Sequence, residues 1–115
     1  MEKQLDKKYF DKAFSQHRLN GFRLKFPNGN GLSTIWGYCT YSDNNMNSSL
    51  DNMNNPVEAF GTPLGSNTVE IMPDCSDKLL KKLQKKYPDN ENGSVFSYLS
   101  MEQWLEIVNI LKKAK

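Results

Sequence analysis

Residues 22–31 place the strongest single constraint on the fold. Residues 22–26 read Phe-Arg-Leu-Lys-Phe, a strict alternation of apolar and charged side chains that is typical of a strand with one buried face. Residues 27–31 read Pro-Asn-Gly-Asn-Gly, and all three of these residue types favour turns. Residues 32–41 then complete a predicted β-hairpin, so the fold includes an antiparallel strand pair.

The register of this hairpin decides which side chains share its buried face, since a slip of one residue turns a strand over. A two-residue turn at Asn28-Gly29 sets Leu24 opposite Ser33. A loop one residue longer pairs three apolar side chains of the first strand with residues of the second: Phe26 with Leu32, Leu24 with Thr34 and Phe22 with Trp36. We expect the longer loop because it buries more apolar surface on one face.

An N-terminal helix is predicted over residues 3–17. Four side chains recur there at every fourth position, beside Phe10 and Phe14: Leu5, Tyr9, Ala13 and His17. That spacing forms one stripe along a helix. Asn20 and Gly21 tolerate a positive φ and end the helix.

Two further helices are predicted in the C-terminal half. The first is capped by Asp74 or Ser76 and ends before Pro88, and its apolar positions are Leu79, Leu80, Leu83 and Tyr87. The second begins at a capping box formed by Ser100 and Gln103 and runs to about Lys113. Its broad apolar face comprises Met101, Trp104, Leu105, Val108 and Leu111, widened by Ile107 and Ile110.

Short strands are predicted at residues 57–60, 68–72 and 95–99, with Pro73 ending the second and a turn over residues 89–93. Residues 42–56 are rich in Asn and are expected to form a long polar loop or a mobile excursion. Helices do not alternate with long apolar strands. The sequence therefore predicts an α+β fold: a small antiparallel sheet of three to five strands, with N-terminal, middle and C-terminal helices packed mainly on one face.

Length and composition fit a single domain over residues 1–115. Apolar residues make up 37% of the chain and charged residues 24%, with a net charge of +2. No apolar run approaches the ~18 residues of a membrane span, and the charged N-terminus is unlike a signal peptide. We therefore expect a cytoplasmic protein that does not bind membranes and keeps Cys39 and Cys75 reduced.

A cluster of five lysines in the middle helix is the first candidate site: Lys78, Lys81, Lys82, Lys85 and Lys86. Cations beside an apolar stripe suit phosphate or an acidic protein, although a solvated surface helix has the same pattern. Nucleic-acid recognition usually adds arginine and interleaved aromatic side chains, and all five cations here are lysine. Nucleic-acid binding through this helix, over residues 76–87, is therefore the second functional hypothesis.

Oxygen-bearing side chains at every second position resemble the first half of a calcium loop: Asp43, Asn45, Asn47, Ser49 and Asp51. The sixth position is Ser48 rather than glycine, and the twelfth is Asn54 rather than glutamate. Because the bidentate carboxylate is missing, no metal site is predicted.

Aromatic residues in the return strand form another candidate surface. Gly37 suggests a bulge or a close backbone approach, and Trp36 is expected to anchor the sheet against the terminal helix. Tyr38 and Tyr41 suit a protein-binding surface as well as a core position. Methionine side chains adapt to varied partners, and two of them lie in the adjacent polar loop: Met46 and Met53.

The sequence contains no evident catalytic set. His17 is the single histidine, and Cys39 would need it as a base. Glu58 and Glu70 could form a carboxylate pair across adjacent strands, but such pairs are common on solvent faces. Since an enzyme site needs a nucleophile, a base and an orienting group together, we expect no enzyme activity, no cofactor and no small-molecule substrate.

The leading hypothesis is a small protein-interaction module that binds a protein partner or a second copy of itself. Its predicted surface comprises Tyr38, Tyr41, Met46 and Met53. The Asn-rich, Ala-poor composition is typical of an AT-rich genome. The size of the chain suits a phage or mobile-element protein that modulates a host protein.

Overall fold

The computed structural model describes residues 12–16, 21–37, 40–43 and 65–114. The strands are β1 (Phe14–Gln16), β2 (Gly21–Lys25), β3 (Gly31–Ile35), β4 (Val69–Asp74), β5 (Glu91–Asn92) and β6 (Val95–Leu99). The helices are α1 (Asp77–Lys86) and α2 (Met101–Lys113). All six strands form one antiparallel sheet in the order β1-β2-β3-β4-β6-β5. The α+β class is confirmed, but the sheet has more strands than the expected three to five, and the described residues contain two helices rather than three.

The predicted N-terminal helix is wrong at its C-terminal end. Residues 14–16 form β1, in which Phe14 pairs with Leu24 of β2, and the Lys25 N–H donates to the Ala13 carbonyl at 2.9 Å. Without β1, this edge of β2 would present a row of unpaired backbone groups. The gain from long-range pairing therefore outweighs the local helical spacing. Residues 3–11 and His17 lie outside the described residues.

The hairpin of β2 and β3 is confirmed, but its register differs by two residues from the expected one. Leu24 pairs with Leu32, and Phe22 pairs with Thr34, whereas we expected Leu24 opposite Thr34 and Phe22 opposite Trp36. A shift of two residues leaves the same side chains on the core face, because side chains alternate with a period of two. The predicted faces are therefore right and the predicted pairs are wrong.

The hairpin loop has three residues, as expected, but it spans residues 27–29 and so begins one residue earlier than predicted. The Gly29 N–H donates to the Phe26 carbonyl at 2.9 Å, and the Phe26 N–H donates to the Asn30 carbonyl at 2.7 Å. Gly29 has a φ of 93°, which only glycine adopts without strain. This is a three-residue loop, a type I turn followed by a left-handed residue, and it brings Gly31 into register with Lys25.

Strand β3 ends at Ile35, six residues before the predicted end at Tyr41. Gly37 has a φ of 95° and turns the chain out of the sheet. Trp36 is half-buried and meets Phe22 edge to face, with ring centroids 6.2 Å apart. The anchoring of Trp36 against the terminal helix stays a prediction. A different tryptophan, Trp104 of α2, connects that helix to β3 by donating from Nε1 to the Thr34 hydroxyl at 2.9 Å.

Strand β4 continues through Pro73 to Asp74, although we expected Pro73 to end it. Pairing between β4 and β6 is confined to Val69 and Ile71. Pro73 pairs with Leu32 of β3 at a point where β6 is no longer alongside. A proline is tolerated there because the strand behaves locally as an edge.

Both helices pack on one face of the sheet, as expected. The buried core draws on four strands and both helices, with Tyr87 directly following α1: Leu24, Leu32, Ile71, Leu83, Tyr87, Phe96, Leu99, Ile107 and Leu111. The predicted apolar face of α1 is confirmed, since Leu83 is buried and both Leu79 and Leu80 pack against the core. On α2 the buried stripe is narrower than predicted: Met101 and Leu105 are exposed, because the helix turns Ile107 and Leu111 toward the sheet.

Local caps fix the ends of both helices. The Ser76 hydroxyl accepts from the Leu79 N–H at 3.2 Å, so Ser76 rather than Asp74 caps α1. The predicted capping box is confirmed: the Gln103 N–H donates to the Ser100 hydroxyl, and the Ser100 N–H donates to the Gln103 side chain. The predicted turn over residues 89–93 is shorter than expected, because Glu91–Asn92 form β5.

The hairpin loop also caps the C-terminus of α2. The Asn28 side-chain amide lies 2.8 Å from the Leu111 carbonyl, 3.1 Å from that of Lys112 and 2.6 Å from that of Ala114. The Asn30 amide donates to the same Leu111 carbonyl at 2.9 Å. The last carbonyls of a helix have no intrahelical partner, so these two side chains tie the end of α2 to the β2–β3 hairpin.

Candidate interaction sites

Of the four residues in the predicted aromatic and methionine surface, one lies among the described residues. Tyr41 lies in the described segment 40–43, whereas Tyr38, Met46 and Met53 lie outside the described residues. Tyr41 is 51% exposed. The segment that carries it leaves the sheet at the Gly37 turn and returns to pack beside β4 and β6.

A buried polar cluster sets the path of this segment. The Gly37 N–H donates to the Ser42 hydroxyl at 2.9 Å, and the Thr40 hydroxyl donates to the Gly37 carbonyl at 2.7 Å. The Thr40 and Ser42 hydroxyl oxygens are themselves 2.7 Å apart. Ser42 is fully buried. Its hydrogen bonds replace the bonds to water that these polar groups give up when they are buried. The cluster therefore holds Gly37, Thr40 and Ser42 together where the chain turns out of the sheet.

Two backbone hydrogen bonds attach Tyr41 to the sheet. Its N–H donates to Oε1 of Glu70 at 2.8 Å, and its carbonyl accepts from the Tyr98 N–H at 2.9 Å. Tyr98 has a φ of 53°, which is uncommon for a bulky residue, and it lies where the pairing of β4 and β6 shifts between Val69 and Ile71. Both backbone groups of Tyr41 are thus held while its ring projects toward solvent.

The sheet face opposite the helices continues this surface. Glu70 and Met72 alternate with the buried Ile71 along β4, so their side chains point away from the core. Met72 is 52% exposed. We call the three exposed side chains of this region the Tyr41 surface: Tyr41, Met72 and Tyr98. Farther along the same face, Asp74 accepts from Arg23 at 2.8 Å and lies 3.4 Å from the Lys25 ammonium.

The lysine cluster lies on the solvent side of α1, as the sequence predicts. All five of its side chains are exposed: Lys78, Lys81, Lys82, Lys85 and Lys86. Lys86 pairs with Glu106 of α2 at 3.5 Å. In the described part of the chain, the other four form no ion pair.

A groove lies between α1 and the C-terminal end of α2. It encloses about 480 Å³, and its floor is apolar: Leu79, Leu83 and Ile110. Lysines line it from both helices, with Lys82, Lys85 and Lys86 on α1 and Lys113 on α2. This volume falls within the range of about 300–1,000 Å³ that is usual for ligand sites. The sequence predicted the lysines but not the groove, because the groove needs both helices.

The candidate catalytic residues are not brought together in the described residues. His17, Cys39 and Glu58 lie outside them. Glu70 accepts a hydrogen bond from the Tyr41 N–H, and its pairing with Glu58 stays a prediction. Cys75 is a free, half-buried thiol, and burial, followed by the charges of Asp74 and Asp77, raises its pKa. A higher pKa lowers the thiolate fraction at neutral pH and so disfavours a nucleophilic role.

The calcium-like pattern is described only at its first residue. The Asp43 N–H donates to the Thr68 hydroxyl at 2.9 Å, which fixes the backbone there, and residues 44–51 lie outside the described residues. Within residues 12–16, 21–37, 40–43 and 65–114, no three His, Cys, Asp or Glu side chains are grouped so that they could hold a metal ion.

Sequence reasoning missed the polar cluster of Thr40 and Ser42. Their hydroxyls follow a glycine by three and five positions, and short hydroxyl side chains close turns by bonding nearby backbone groups. That signal was present in the sequence. Instead, the predicted strand that reaches Tyr41 includes Thr40, and the predicted polar loop begins at Ser42.

Comparison with known proteins adds no functional assignment. No helix in the described part of the chain is long and apolar enough to cross a membrane. No family model, no curated protein and no solved structure matches the chain.

Proposed function

We propose that this protein is a small protein-interaction module and that the Tyr41 surface contacts its partner. The observation that carries the proposal is that Tyr41 combines an exposed ring with a backbone held by hydrogen bonds. Its ring is half exposed, yet its N–H and carbonyl are both bound to the sheet. Tyr38, Met46 and Met53 remain predicted members of the same surface.

A fixed backbone beneath an exposed aromatic ring favours binding for a physical reason. Association costs free energy for every side chain and loop that becomes ordered. Gly37, Thr40 and Ser42 are already joined by hydrogen bonds, so the ordering of these residues is completed during folding. Tyrosine also supplies a large contact area with few rotatable bonds and is enriched among the residues that dominate binding energy.

The test begins with affinity capture on the full chain, identification of the captured protein by mass spectrometry, and measurement of its Kd as a purified partner. We expect Tyr41→Ala to weaken binding at least tenfold, because a central interface tyrosine typically contributes about 2 kcal/mol or more. Met72→Ala should cause a smaller loss, and Met53→Ala tests the predicted extension of the surface.

Phe14→Ala is the matched control, since Phe14 is an exposed aromatic residue on the edge strand β1, away from Tyr41. It should leave Kd unchanged. Undiminished binding in both Tyr41→Ala and Met72→Ala would remove this surface from the proposal.

Nucleic-acid binding through α1 is the second candidate, and the exposure of all five lysines favours it. It predicts that affinity for DNA or RNA falls with salt, by about one logarithmic unit per logarithmic unit of salt for each phosphate contacted. A gel shift at low salt tests it. Absence of retention there eliminates this candidate and leaves the protein-interaction proposal intact.

A further inference from the structure

The groove between α1 and α2 is a second possible contact surface, on the helical side of the sheet rather than on the face of Tyr41. Its floor follows both helices. Leu79 and Leu83 lie one turn apart on α1, and Ile110 faces them from α2. Four residues along a helix advance about 6 Å, so the floor is an elongated apolar strip rather than a point contact.

The charged side chains that line this strip are all lysines, one of which, Lys86, pairs with Glu106. Lys82 and Lys85 line one side and Lys113 the other, and none of the three forms an ion pair with another described residue. Lys85 and Lys113 lie in the last turns of α1 and α2, and this position complements the helix dipoles. It leaves their ammonium groups exposed and available to a ligand.

The shape and chemistry of the groove favour a peptide over a nucleic acid. A nucleic acid would require cations without a wide apolar strip, and it is usually gripped by arginine and stacked on aromatic rings. The groove is lined by leucine, isoleucine, alanine and lysine alone. An amphipathic helix lays an apolar stripe into such a groove and projects its flanking polar side chains over the rims.

We propose that this groove binds an acidic amphipathic helix of a partner protein. Apolar side chains of that helix, spaced at i, i+3 or i+4, cover Leu79 and Ile110. Its Asp and Glu side chains flank that stripe and pair with Lys82 and Lys85 on one rim and with Lys113 on the other. The site is separate from the Tyr41 surface, so either can exist without the other.

The experiment is selection from a library of random 16-residue peptides on the folded full-length chain, followed by fluorescence anisotropy of the most enriched peptide. We expect enriched sequences to combine apolar residues at helical spacing with flanking Asp and Glu. The double variant Lys82→Glu/Lys85→Glu should weaken binding of that peptide about tenfold, through lost ion pairs and new repulsion.

The matched control is Lys78→Glu/Lys81→Glu, which makes the same charge change on the same helix outside the groove. It should reduce affinity less than threefold, and Tyr41→Ala should have no effect. Circular dichroism of each variant establishes that the fold is retained.

Four results would overturn the proposal: no enrichment, enriched peptides without acidic residues, equal losses in the two double variants, or a 20-nucleotide DNA that displaces the peptide and binds more tightly. Concentration-dependent dimerisation that is abolished by Lys82→Glu/Lys85→Glu would assign the groove to a second copy of this chain and would likewise overturn it. Loss of peptide binding in Tyr41→Ala alone would assign the peptide to the Tyr41 surface and would overturn the proposal as well.

Discussion

Replacing Ser42 by alanine removes the hydroxyl group that joins this residue to Gly37 and Thr40. That hydroxyl accepts the Gly37 N–H at 2.9 Å and lies 2.7 Å from the Thr40 hydroxyl. Thr40 keeps its bond to the Gly37 carbonyl. The Gly37 N–H, however, loses its acceptor at a buried position, and this is the main consequence of the substitution.

The magnitude follows from that unpaired group. A buried donor left without a partner costs about 1–3 kcal/mol, so we expect Ser42→Ala to lower the free energy of unfolding by roughly 2 kcal/mol. For a domain of this size a urea m-value of about 2 kcal/mol per molar is reasonable. The unfolding midpoint should therefore fall by about 1 M urea.

Urea denaturation followed by tryptophan fluorescence measures this shift, with Trp36 and Trp104 as reporters. Ser94→Ala is the matched control, because Ser94 lies exposed in the turn between β5 and β6. It should change the free energy of unfolding by no more than about 0.5 kcal/mol.

The same variant also tests how the turn serves the Tyr41 surface. If the polar cluster preorganises Tyr41, Ser42→Ala should weaken partner binding even without urea, where the protein is folded. The residues around Tyr41 would then become ordered only on binding, and this ordering costs free energy. A midpoint equal to that of the unmodified chain would refute the claim that this hydroxyl closes the turn. A lowered midpoint with unchanged partner affinity would refute the preorganisation argument alone.

Three further substitutions or measurements test other parts of the structure. Asn28→Ala should lower the free energy of unfolding by about 1–2 kcal/mol, since it strips hydrogen bonds from the last turn of α2; amide hydrogen exchange should rise there first, and unchanged exchange would contradict the cap. Tyr87→Phe should leave stability unchanged or raise it by up to about 1 kcal/mol in thermal unfolding, because the buried Tyr87 hydroxyl has no hydrogen-bond partner among the described residues and its removal relieves a desolvation cost. Alkylation of Cys75 by iodoacetamide should be slower than that of glutathione at neutral pH and should still be rising at pH 9, as the raised pKa requires; a plateau below pH 8 would show that the pKa is not raised.

Local sequence signals predicted the elements whose stabilising contacts lie close in the chain. The capping box joins Ser100 to Gln103, three residues apart, and the Ser76 cap reaches Leu79 over the same distance. The alternation over residues 22–26 likewise predicted the correct core face of β2. Each of these signals uses residues within about one turn or one strand, so the sequence alone was sufficient.

Contacts between distant parts of the chain were not predictable in the same way. The stripe over residues 3–17 indicated a helix, yet residues 14–16 pair with β2 because an open strand edge offers backbone partners. The hairpin register was wrong by two residues because both registers bury the same face. Sequence periodicity predicts which way a side chain points, but it does not predict which strand pairs with the strand that carries it.

For the candidate sites too, some features follow from the sequence and others only from the tertiary structure. The sequence by itself determined that Tyr41 is an aromatic residue beside a polar stretch and that α1 carries five lysines on its solvent face. Only the tertiary structure decided that Glu70 and Tyr98 hold the Tyr41 backbone, and that α2 lies close enough to α1 to form a groove. Asn28 bonds the end of α2 from 83 residues away. The physical reason is that packing brings together groups whose separation along the chain leaves no periodic trace.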